Sequence, residues 1–170
     1  MLNSPILVTG ATGKTGRRVA AFLSQRGFAV RAVSRKSPIR FDWDDVSSWP
    51  AALHGVRAVY IVHPGLGMEG AGEQVRQFAH AAAAAGVQKA VLVATPDDGS
   101  DFSTAMRAAE RDITAAGLQL TSLRLRWLFQ NFSEDFLLQP VQSASCVYPS
   151  AMARSRLSMP TTSPKWPSLR

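Results

Sequence analysis

The sequence predicts an α/β fold built on a doubly wound parallel sheet. Short apolar strands alternate with helices as far as about residue 137, and four of these helices end at a glycine shortly before the next strand. Continuously apolar strands that alternate with helices indicate a parallel sheet covered on both faces. Glycine accepts the left-handed backbone conformation that closes a helix. Because crossovers between parallel strands are right-handed, we expect a three-layer αβα, Rossmann-like sheet with the strand order 3-2-1-4-5.

The same pattern gives the bounds of each predicted element. The strands are expected at residues 6–8, 30–33, 58–62, 90–93 and 118–125. The helices are expected at residues 14–26, 47–53, 73–85 and 103–116, and they are followed by Gly27, Gly55, Gly86 and Gly117. Ser103 is expected to cap the last helix. After residue 137 the chain is rich in Ser, Pro and Arg, contains no acid or glycine, and breaks this rhythm.

Composition narrows the class of protein. The chain has 170 residues, of which 46% are hydrophobic and 18% charged, as is typical of a globular chain with one core. No apolar run approaches the roughly 20 residues of a membrane-spanning helix, and the N-terminus lacks the basic and apolar regions of a secretion signal. The single cysteine, Cys146, fits a reducing compartment. We therefore expect a cytoplasmic protein without membrane association or a metal site.

The net charge of +7 does not by itself indicate a nucleic-acid partner. No acidic residue follows Asp135, and the four basic residues in that stretch leave the rest of the chain at only +3. The remaining basic residues form no stripe interleaved with aromatic side chains, the pattern expected of a nucleic-acid-binding surface. The predicted partner is a small-molecule substrate.

A glycine-rich turn lies between the first strand and the first helix. The segment TGATGKTG at residues 9–16 has the spacing GxxGxxG, in which Gly10 allows a sharp turn, Gly13 lets the backbone approach a pyrophosphate, and Gly16 allows close packing of helix on strand. The free amides and the dipole at the helix start favour anionic phosphates. This context predicts a dinucleotide site, and a tight turn without a ligand is the alternative.

The end of the second strand predicts which dinucleotide is bound. An NAD site usually places an acid there to bind the ribose 2′-hydroxyl, whereas an NADP site uses a basic residue for the 2′-phosphate. This chain has Ser34, Arg35 and Lys36, and the planar guanidinium of Arg35 suits a phosphate. We therefore expect NADP(H) to be preferred over NAD(H). The alternative is that Arg35 and Lys36 form an ordinary solvated surface pair.

Two further segments, together with the glycine turn, carry a resemblance to a known family. FDWDD at residues 41–45 and NFSEDF at residues 131–136, with TGATGKTG, resemble the NmrA-like atypical short-chain dehydrogenase/reductase family. Within it the sequence is most similar to the subgroup related to fungal ergot-alkaloid reductases of the festuclavine and agroclavine dehydrogenase type. The resemblance covers residues 1–141, which are therefore expected to form one NAD(P)-binding domain.

The resemblance implies a set of cofactor contacts. The glycine turn would hold the phosphates and Arg35 the 2′-phosphate. Asp42 would contact the adenine edge, with the capping of a turn as its alternative role. His63 and Pro64 would lie along the nicotinamide ribose, with a rim histidine as the alternative, and the residues after the fourth strand would lie beneath the nicotinamide. The predicted cofactor-binding residues are Gly10, Ala11, Thr12, Gly13, Lys14, Thr15, Gly16, Ser34, Arg35, Lys36, Asp42, His63, Pro64, Ala94 and Thr95.

The catalytic residues stay unassigned. The Tyr-x-x-x-Lys pair of ordinary short-chain reductases is absent, since the only tyrosines are Tyr60 and Tyr148 and neither precedes a lysine by four residues. Glu110 is expected to pack or pair structurally, with Arg107 and Arg111 on neighbouring positions. The resemblance implies hydride transfer to a small conjugated, iminium or quinone-like acceptor, which can take its proton from water. The alternative is a non-catalytic NADP-binding sensor that contacts a protein partner.

Residues 142–170 are predicted to form an irregular tail. In the resembled family the chain continues with a Gly-Asp-Gly turn, an acidic helix start and a substrate-binding lobe, and none of these follows here. Back-translation of the tail with mostly G- or C-ending codons, read one nucleotide back, gives Gly-Asp-Gly-Ala from Ser150 and then Val-Asp-Ala-Asp-Asp. We therefore hypothesise that residues 145–170 are an out-of-frame product of a C-terminally truncated domain, with a naturally divergent tail as the alternative. Resequencing the gene tests this.

Overall fold

A computed structural model describes residues 4–66, 68, 70–126, 128–135 and 137–143 of the chain. The chain divides into two compact units, Met1–Trp127 and Leu128–Arg170. The hypothesised out-of-frame segment, residues 145–170, lies outside the described residues, and the domain boundary expected at residues 141–142 stays a prediction. Within the second unit two short helices follow one another, α5 (Gln130–Glu134) and α6 (Leu138–Gln142).

The first unit is built on the predicted parallel sheet. Its five strands are β1 (Ile6–Val8), β2 (Val30–Ala32), β3 (Ala58–Ile61), β4 (Lys89–Ala94) and β5 (Gln119–Arg124). Every strand pair is parallel. Leu7 in β1 and Leu92 in β4 are fully buried, as expected of strands covered by helices on both faces. The predicted α/β, doubly wound, Rossmann-like fold is confirmed.

Four helices connect these strands, and each begins two residues from its predicted start. They are α1 (Gly16–Gln25), α2 (Trp49–Leu53), α3 (Ala71–Ala84) and α4 (Asp101–Ala115), with a single 3-10 turn at Val46–Ser48 before α2. Helix α1 begins two residues late because residues 10–13 form a turn, in which Gly13 donates its N–H to the Gly10 carbonyl at 2.8 Å.

The start of α4 corrects a predicted cap. Ser100, not Ser103, is the N-terminal capping residue: its hydroxyl accepts the backbone N–H of Ser103 at 3.2 Å, and its backbone is extended. Ser103 is instead buried inside the first turn of the helix, where its hydroxyl donates to the Ser100 carbonyl. The prediction was wrong because both residues are serines, three positions apart, and either could precede the apolar pattern.

The strand order also differs from the prediction. The observed order is β2-β1-β3-β4-β5, with β3 beside β1, so the predicted order 3-2-1-4-5 is wrong for the five strands counted in the sequence. The strand that the prediction numbered third pairs with β1 through Ala58 opposite Ile6 and Tyr60 opposite Val8. β2 lies on one side of β1, and β3 and the later strands lie on the other. The strand order therefore reverses after β2, which creates a switch point between β1 and β3.

The predicted order places a third strand beside β2, and in the structure a single backbone bridge lies there instead. Val33 donates its N–H to the carbonyl of Val8 in β1, so the backbone groups of the next residue, Ser34, point away from β1. On that outer side Ser34 forms a parallel bridge with Arg40 and accepts the N–H of Phe41 at 3.0 Å. The bridge holds the place of a third strand, and the segment around it is too short and polar to be counted as one from sequence.

Helix α3 packs on the segment after this bridge through four buried aromatic side chains. The ring centroid of Phe78, on α3, lies 5.5 Å from that of Phe41, 5.0 Å from that of Trp43 and 5.5 Å from that of Trp49. The indole N–H of Trp49 donates to the carbonyl of Asp42 at 2.8 Å. The FDWDD segment is therefore part of the hydrophobic core as well as part of the predicted site.

The short helix α2 is held at its C-terminal end by Arg31 from β2. The Arg31 guanidinium donates to the carbonyls of Ala52 at 2.8 Å and His54 at 2.6 Å. A helix of five residues leaves most of its carbonyls without partners inside the helix, and a cation at this end also interacts favourably with the helix dipole. Arg31 thus fixes the crossover that leads into β3.

Candidate cofactor site

The glycine turn has the geometry that its spacing predicts. Gly10 has a φ of +60°, and a Cβ there would lie 3.1 Å from the Cβ of Val62, the residue directly after β3. A Cβ on Gly16 would lie 2.3 Å from the carbonyl oxygen of Gly10, a distance that no real side chain occupies. Both positions therefore require glycine, because only glycine lets α1 start this close to the turn.

The start of α1 is suited to an anion. No side chain caps it, and its first turn carries no acid. The partial positive charge at a helix start is therefore not neutralised by the helix itself. Lys14 and Thr15 stand at this end, and Thr12 and Gly13 in the turn before it are exposed. This arrangement fits a pyrophosphate.

Thr9, directly before the glycine turn, joins β1 to the end of β3. Its buried hydroxyl accepts the backbone N–H of Val62 at 2.8 Å and lies 3.1 Å from the carbonyl of Tyr60, to which it can donate. Sequence reasoning treated Thr9 only as the first letter of the motif. The sequence feature that could have indicated this contact is a polar residue placed between an apolar strand and a glycine. The contact fixes the turn against the loop that leaves β3.

The loop after β2 presents its two cations to solvent. The Ser37 hydroxyl accepts the backbone N–H of Ser34 at 2.8 Å and lies 2.6 Å from the Ile39 carbonyl, which closes the loop on itself. Arg35 and Lys36 are exposed at its tip. Among the described residues no carboxylate pairs with either side chain. Arg35 is thus available for an anionic ligand.

Asp42 lies in a tight turn and already has partners. One carboxylate oxygen pairs with Arg40 at 2.9 Å, and the other accepts the backbone N–H of Asp44 at 3.3 Å. Arg40 also pairs with Asp45. Asp42 therefore fills the turn-capping role that was the alternative in the sequence analysis, and its contact with the adenine edge stays a prediction.

His63, the second residue after β3, has both ring nitrogens engaged. Nε2 lies 2.9 Å from Oε1 of Gln74 on α3, and Nδ1 accepts the backbone N–H of Gly65 at 3.1 Å. The ring centroid is 4.6 Å from that of Trp43. Burial lowers the pKa of His63 below its usual range, opposed by the hydrogen bond to the Gln74 oxygen and the charge of Asp44. The fold therefore favours the neutral imidazole.

We expect this neutral His63 to make stability depend on pH between about 7 and 5. The unfolded chain, with an ordinary histidine pKa of about 6.5, binds a proton there that the folded chain resists. Stability is then fully present above the unfolded pKa and falls as the pH decreases. Urea unfolding at several pH values should show a steeper loss for wild type than for His63→Gln, and equal slopes would contradict this.

The pH range in which His63 affects stability is separate from the range in which Glu73 affects it. A hydrogen bond from Arg76 lowers the pKa of the exposed Glu73 to about 2. Because the folded pKa is lowered, the Glu73 contribution is present above its unfolded pKa and is lost only as the pH falls below about 4.5. Titration of Glu73 therefore does not obscure a slope measured between pH 7 and 5.

The last residue of β4, Ala94, and the residue after it, Thr95, supply the remaining side of the predicted site. Ala94 is buried, and its carbonyl accepts the N–H of Leu125 at 2.8 Å. The hydroxyl of Thr95 is buried and has no hydrogen-bond partner among the described residues. A buried hydroxyl without a partner is costly, so Thr95 fits a position that a ligand atom completes.

Because the strands are parallel, these segments share one edge of the sheet. The glycine turn follows β1, the Ser34–Lys36 segment follows β2, His63 and Pro64 follow β3, and Thr95 follows β4. The carboxyl edge at a switch point is where open α/β sheets bind ligands. The structure brings the predicted residues to this edge, and their contacts with a cofactor stay predictions.

Glu110 lies on α4, and its side chain reaches the last residue of β5. Its carboxylate pairs at 2.8 Å with Arg124 on β5, while Arg107 pairs with Asp97. Structural pairing of Glu110 was expected, but the partner is on a strand and not on its own helix.

Among the described residues no cluster of three or more metal-ligating side chains occurs. In the same part of the chain, no helix has the length and apolar character needed to cross a membrane.

Comparisons with known proteins agree with the geometry. A family model described as NAD(P)H-binding matches residues 10–144. The uncharacterized oxidoreductase YesF of Bacillus subtilis is 32% identical over 142 residues, which are 78% of this chain and 48% of that protein. Festuclavine synthase I of Penicillium roqueforti is 33% identical over 146 residues, 76% of this chain and 50% of that protein. The crystal structure of the Escherichia coli NADPH-dependent quinone oxidoreductase QOR2 with NADPH has a TM-score of 0.66 at 23% identity, covering 82% of this chain and 53% of that one.

These matches have two consequences. The chain spans about half the length of the curated relatives it matches. The resemblance predicted from the TGATGKTG, FDWDD and NFSEDF segments is confirmed. With a family model that matches most of its length, and with the turn, helix start and sheet edge described above, the chain belongs to the NAD(P)H-binding family.

Proposed function

We propose that this chain binds NADP(H) in preference to NAD(H). It would be the cofactor-binding part of an oxidoreductase that transfers hydride to a small conjugated, iminium or quinone-like acceptor. The observation that carries the cofactor preference is Arg35, exposed at the end of β2 with no carboxylate paired to it among the described residues. An acid at that place would favour the ribose hydroxyl of NAD.

Each part of the proposed site has a distinct task. The turn at Gly10–Gly16 and the positive end of α1 hold the pyrophosphate, and Arg35 and Lys36 hold the 2′-phosphate. Asp42 faces the adenine, and His63, Pro64, Ala94 and Thr95 line the nicotinamide half. NADPH supplies the hydride when bound, so the chain's own residues bind and orient. Since the sequence has no Tyr-x-x-x-Lys pair, the acceptor takes its proton from water.

The names of the relatives support the acceptor class. A quinone oxidoreductase and a festuclavine synthase both resemble this chain. An acceptor that is already electron-poor, such as a quinone or an iminium ion, needs little help from a protein acid. This low demand for a protein acid agrees with a sequence that has no Tyr-x-x-x-Lys pair.

Arg35→Ala is expected to weaken NADPH binding about tenfold or more while NADH binding changes little. Charge-assisted hydrogen bonds to phosphate are the strong ones, and only NADPH carries the 2′-phosphate. The measurement is a titration of each cofactor followed by intrinsic tryptophan fluorescence, with Arg111→Ala on the exposed face of α4 as the control. Equal losses for both cofactors would overturn the 2′-phosphate assignment.

A second candidate function is a non-catalytic NADP sensor that acts by contacting a partner protein. The absence of the Tyr-x-x-x-Lys pair favours it. NADPH consumption with a panel of quinones, azo dyes and iminium compounds separates the two. Turnover of any member of the panel favours the reductase, and tight NADPH binding without turnover in a chain that includes the remaining half found in the relatives favours the sensor.

A further inference from the structure

A chain of hydrogen bonds links three separate segments at the carboxyl edge of the sheet. Asp44, in the FDWDD segment, accepts from the Gln74 side-chain amide at 2.8 Å. The Gln74 oxygen faces His63 Nε2 at 2.9 Å, and His63 Nδ1 accepts from the N–H of Gly65. Nothing in the sequence pattern connects Gln74 with Asp44, thirty positions earlier, so sequence reasoning missed it.

The direction of every bond in this chain follows from one backbone group. A backbone N–H can only donate, so Nδ1 of His63 must be the unprotonated nitrogen, and Nε2 carries the hydrogen. Nε2–H then donates to the Gln74 oxygen, which turns the Gln74 NH₂ group toward Asp44. The Asp44 carboxylate, which can only accept, closes the chain. The network therefore selects one imidazole tautomer and one orientation of the Gln74 amide.

The loop that this network holds begins beside the glycine turn. Val62, the residue before His63, bonds to the Thr9 hydroxyl, and its side chain borders the position where Gly10 lacks a Cβ. Trp43 donates its indole N–H to the Val62 carbonyl at 3.3 Å. Segment 63–66 thus leaves the sheet directly next to the proposed pyrophosphate site, on the side assigned to the nicotinamide half.

We propose that Gln74 is a positioning residue. By accepting from Nε2–H, it stabilises the same His63 tautomer that the Gly65 N–H requires, and it holds segment 63–66 in the shape that receives the nicotinamide half of the cofactor. Gln74 touches no cofactor itself. The cofactor part of this inference rests on the function proposed above, whereas the tautomer part rests only on the geometry.

The first test reads the tautomer directly and needs no cofactor. Two-bond ¹H–¹⁵N correlation spectra of the imidazoles, recorded above pH 7.5, should show His63 as a fixed Nε2–H tautomer in wild type. The exposed His54 and His80 serve as internal references for averaged tautomers. In Gln74→Leu the two His63 nitrogen shifts should move toward those of the references. An unchanged His63 pattern would overturn the proposal.

A matched control and a rescue exclude a merely structural effect. Gln77→Leu removes a neighbouring exposed glutamine of α3, which bonds only to Glu73 among the described residues, and should leave the His63 spectrum unchanged. Gln74→Glu places two carboxylates face to face and should disturb it. Adding Asp44→Asn to Gln74→Glu exchanges donor and acceptor between the two positions and should restore the tautomer. Failure of that rescue would contradict the proposed hydrogen-bond direction.

The second test reads the cofactor. Gln74→Leu should raise the Kd for NADPH about tenfold, at the upper end of what one lost hydrogen bond contributes. The Kd for adenosine 2′,5′-bisphosphate, which lacks the nicotinamide half, should change less than about twofold. Equal losses for both ligands, or unchanged NADPH binding despite a lost tautomer, would refute the positioning role. Absence of NADPH binding by wild type would refute the proposed function, and the spectra would still decide whether Gln74 positions His63.

Discussion

Gly16→Ala is expected to abolish tight NADPH binding and to destabilise the fold. A Cβ at this position would lie 2.3 Å from the Gly10 carbonyl oxygen and 2.8 Å from its carbon, and both are backbone atoms. Because backbone cannot turn aside as a flexible side chain can, α1 must move away from the glycine turn. Overpacking of this kind costs about 1–3 kcal/mol. The displaced helix start no longer directs its amides at the pyrophosphate, so we expect affinity to fall at least a hundredfold.

Gly72→Ala is the matched control for this prediction. Gly72 lies in α3, where a Cβ would meet nothing within 4 Å. The same substitution should therefore stabilise the protein by about 0.5–1 kcal/mol through helix propensity and leave NADPH binding unchanged. Denaturant unfolding and a fluorescence titration on both variants give the comparison. Near-wild-type affinity in Gly16→Ala would show that the turn is not the phosphate site.

Phe78→Ala is expected to cause a large loss of stability. Phe78 is fully buried, and its ring contacts three other buried aromatic rings at 5.0–5.5 Å. Removing it creates a cavity between α3 and the FDWDD segment, and buried Phe→Ala changes cost about 3–5 kcal/mol. Domains of this size have only about 5–15 kcal/mol of stability in total. Urea unfolding at 25 °C measures the difference.

The control for Phe78→Ala is Phe22→Ala on α1. Phe22 is 54% exposed, and its ring lies under the guanidinium of Arg26. Its removal forms no cavity, so the free energy of unfolding should change by less than about 1 kcal/mol. A similar loss in both variants would mean that the aromatic cluster does not anchor α3. Since Phe78 lies outside the proposed contacts, the remaining folded fraction of Phe78→Ala should still bind NADPH.

The sequence predicted those features that depend on local pattern. Apolar runs and terminal glycines such as Gly86 gave the parallel sheet and its helices, because strand burial and helix closure are properties of neighbouring residues. The glycine turn was predicted for the same reason: the clash at Gly16 is with Gly10, six positions away. Positive φ values at Gly27, Gly55, Gly86 and Gly117 agree with the predicted helix ends.

Features that depend on contacts distant in sequence were not predictable in this way. The Ser34–Arg40 bridge has no strand pattern, so the strand order was wrong. The hydrogen bond from Gln74 to Asp44 and the pairing of Glu110 with β5 bring together residues from different elements. The contacts with a cofactor depend in addition on a ligand that periodicity does not describe.

The alternation within the FDWDD segment separates two demands on the same five residues. Phe41 and Trp43 point into the core, while the carboxylates of the alternate residues Asp42 and Asp44 make polar contacts at the surface. A chain that alternates in this way can change its ligand preference through one set of positions without disturbing the other. An engineer who wished to convert the cofactor preference could therefore vary positions 35, 36 and 42 in a library, and we expect most members of that library to stay folded.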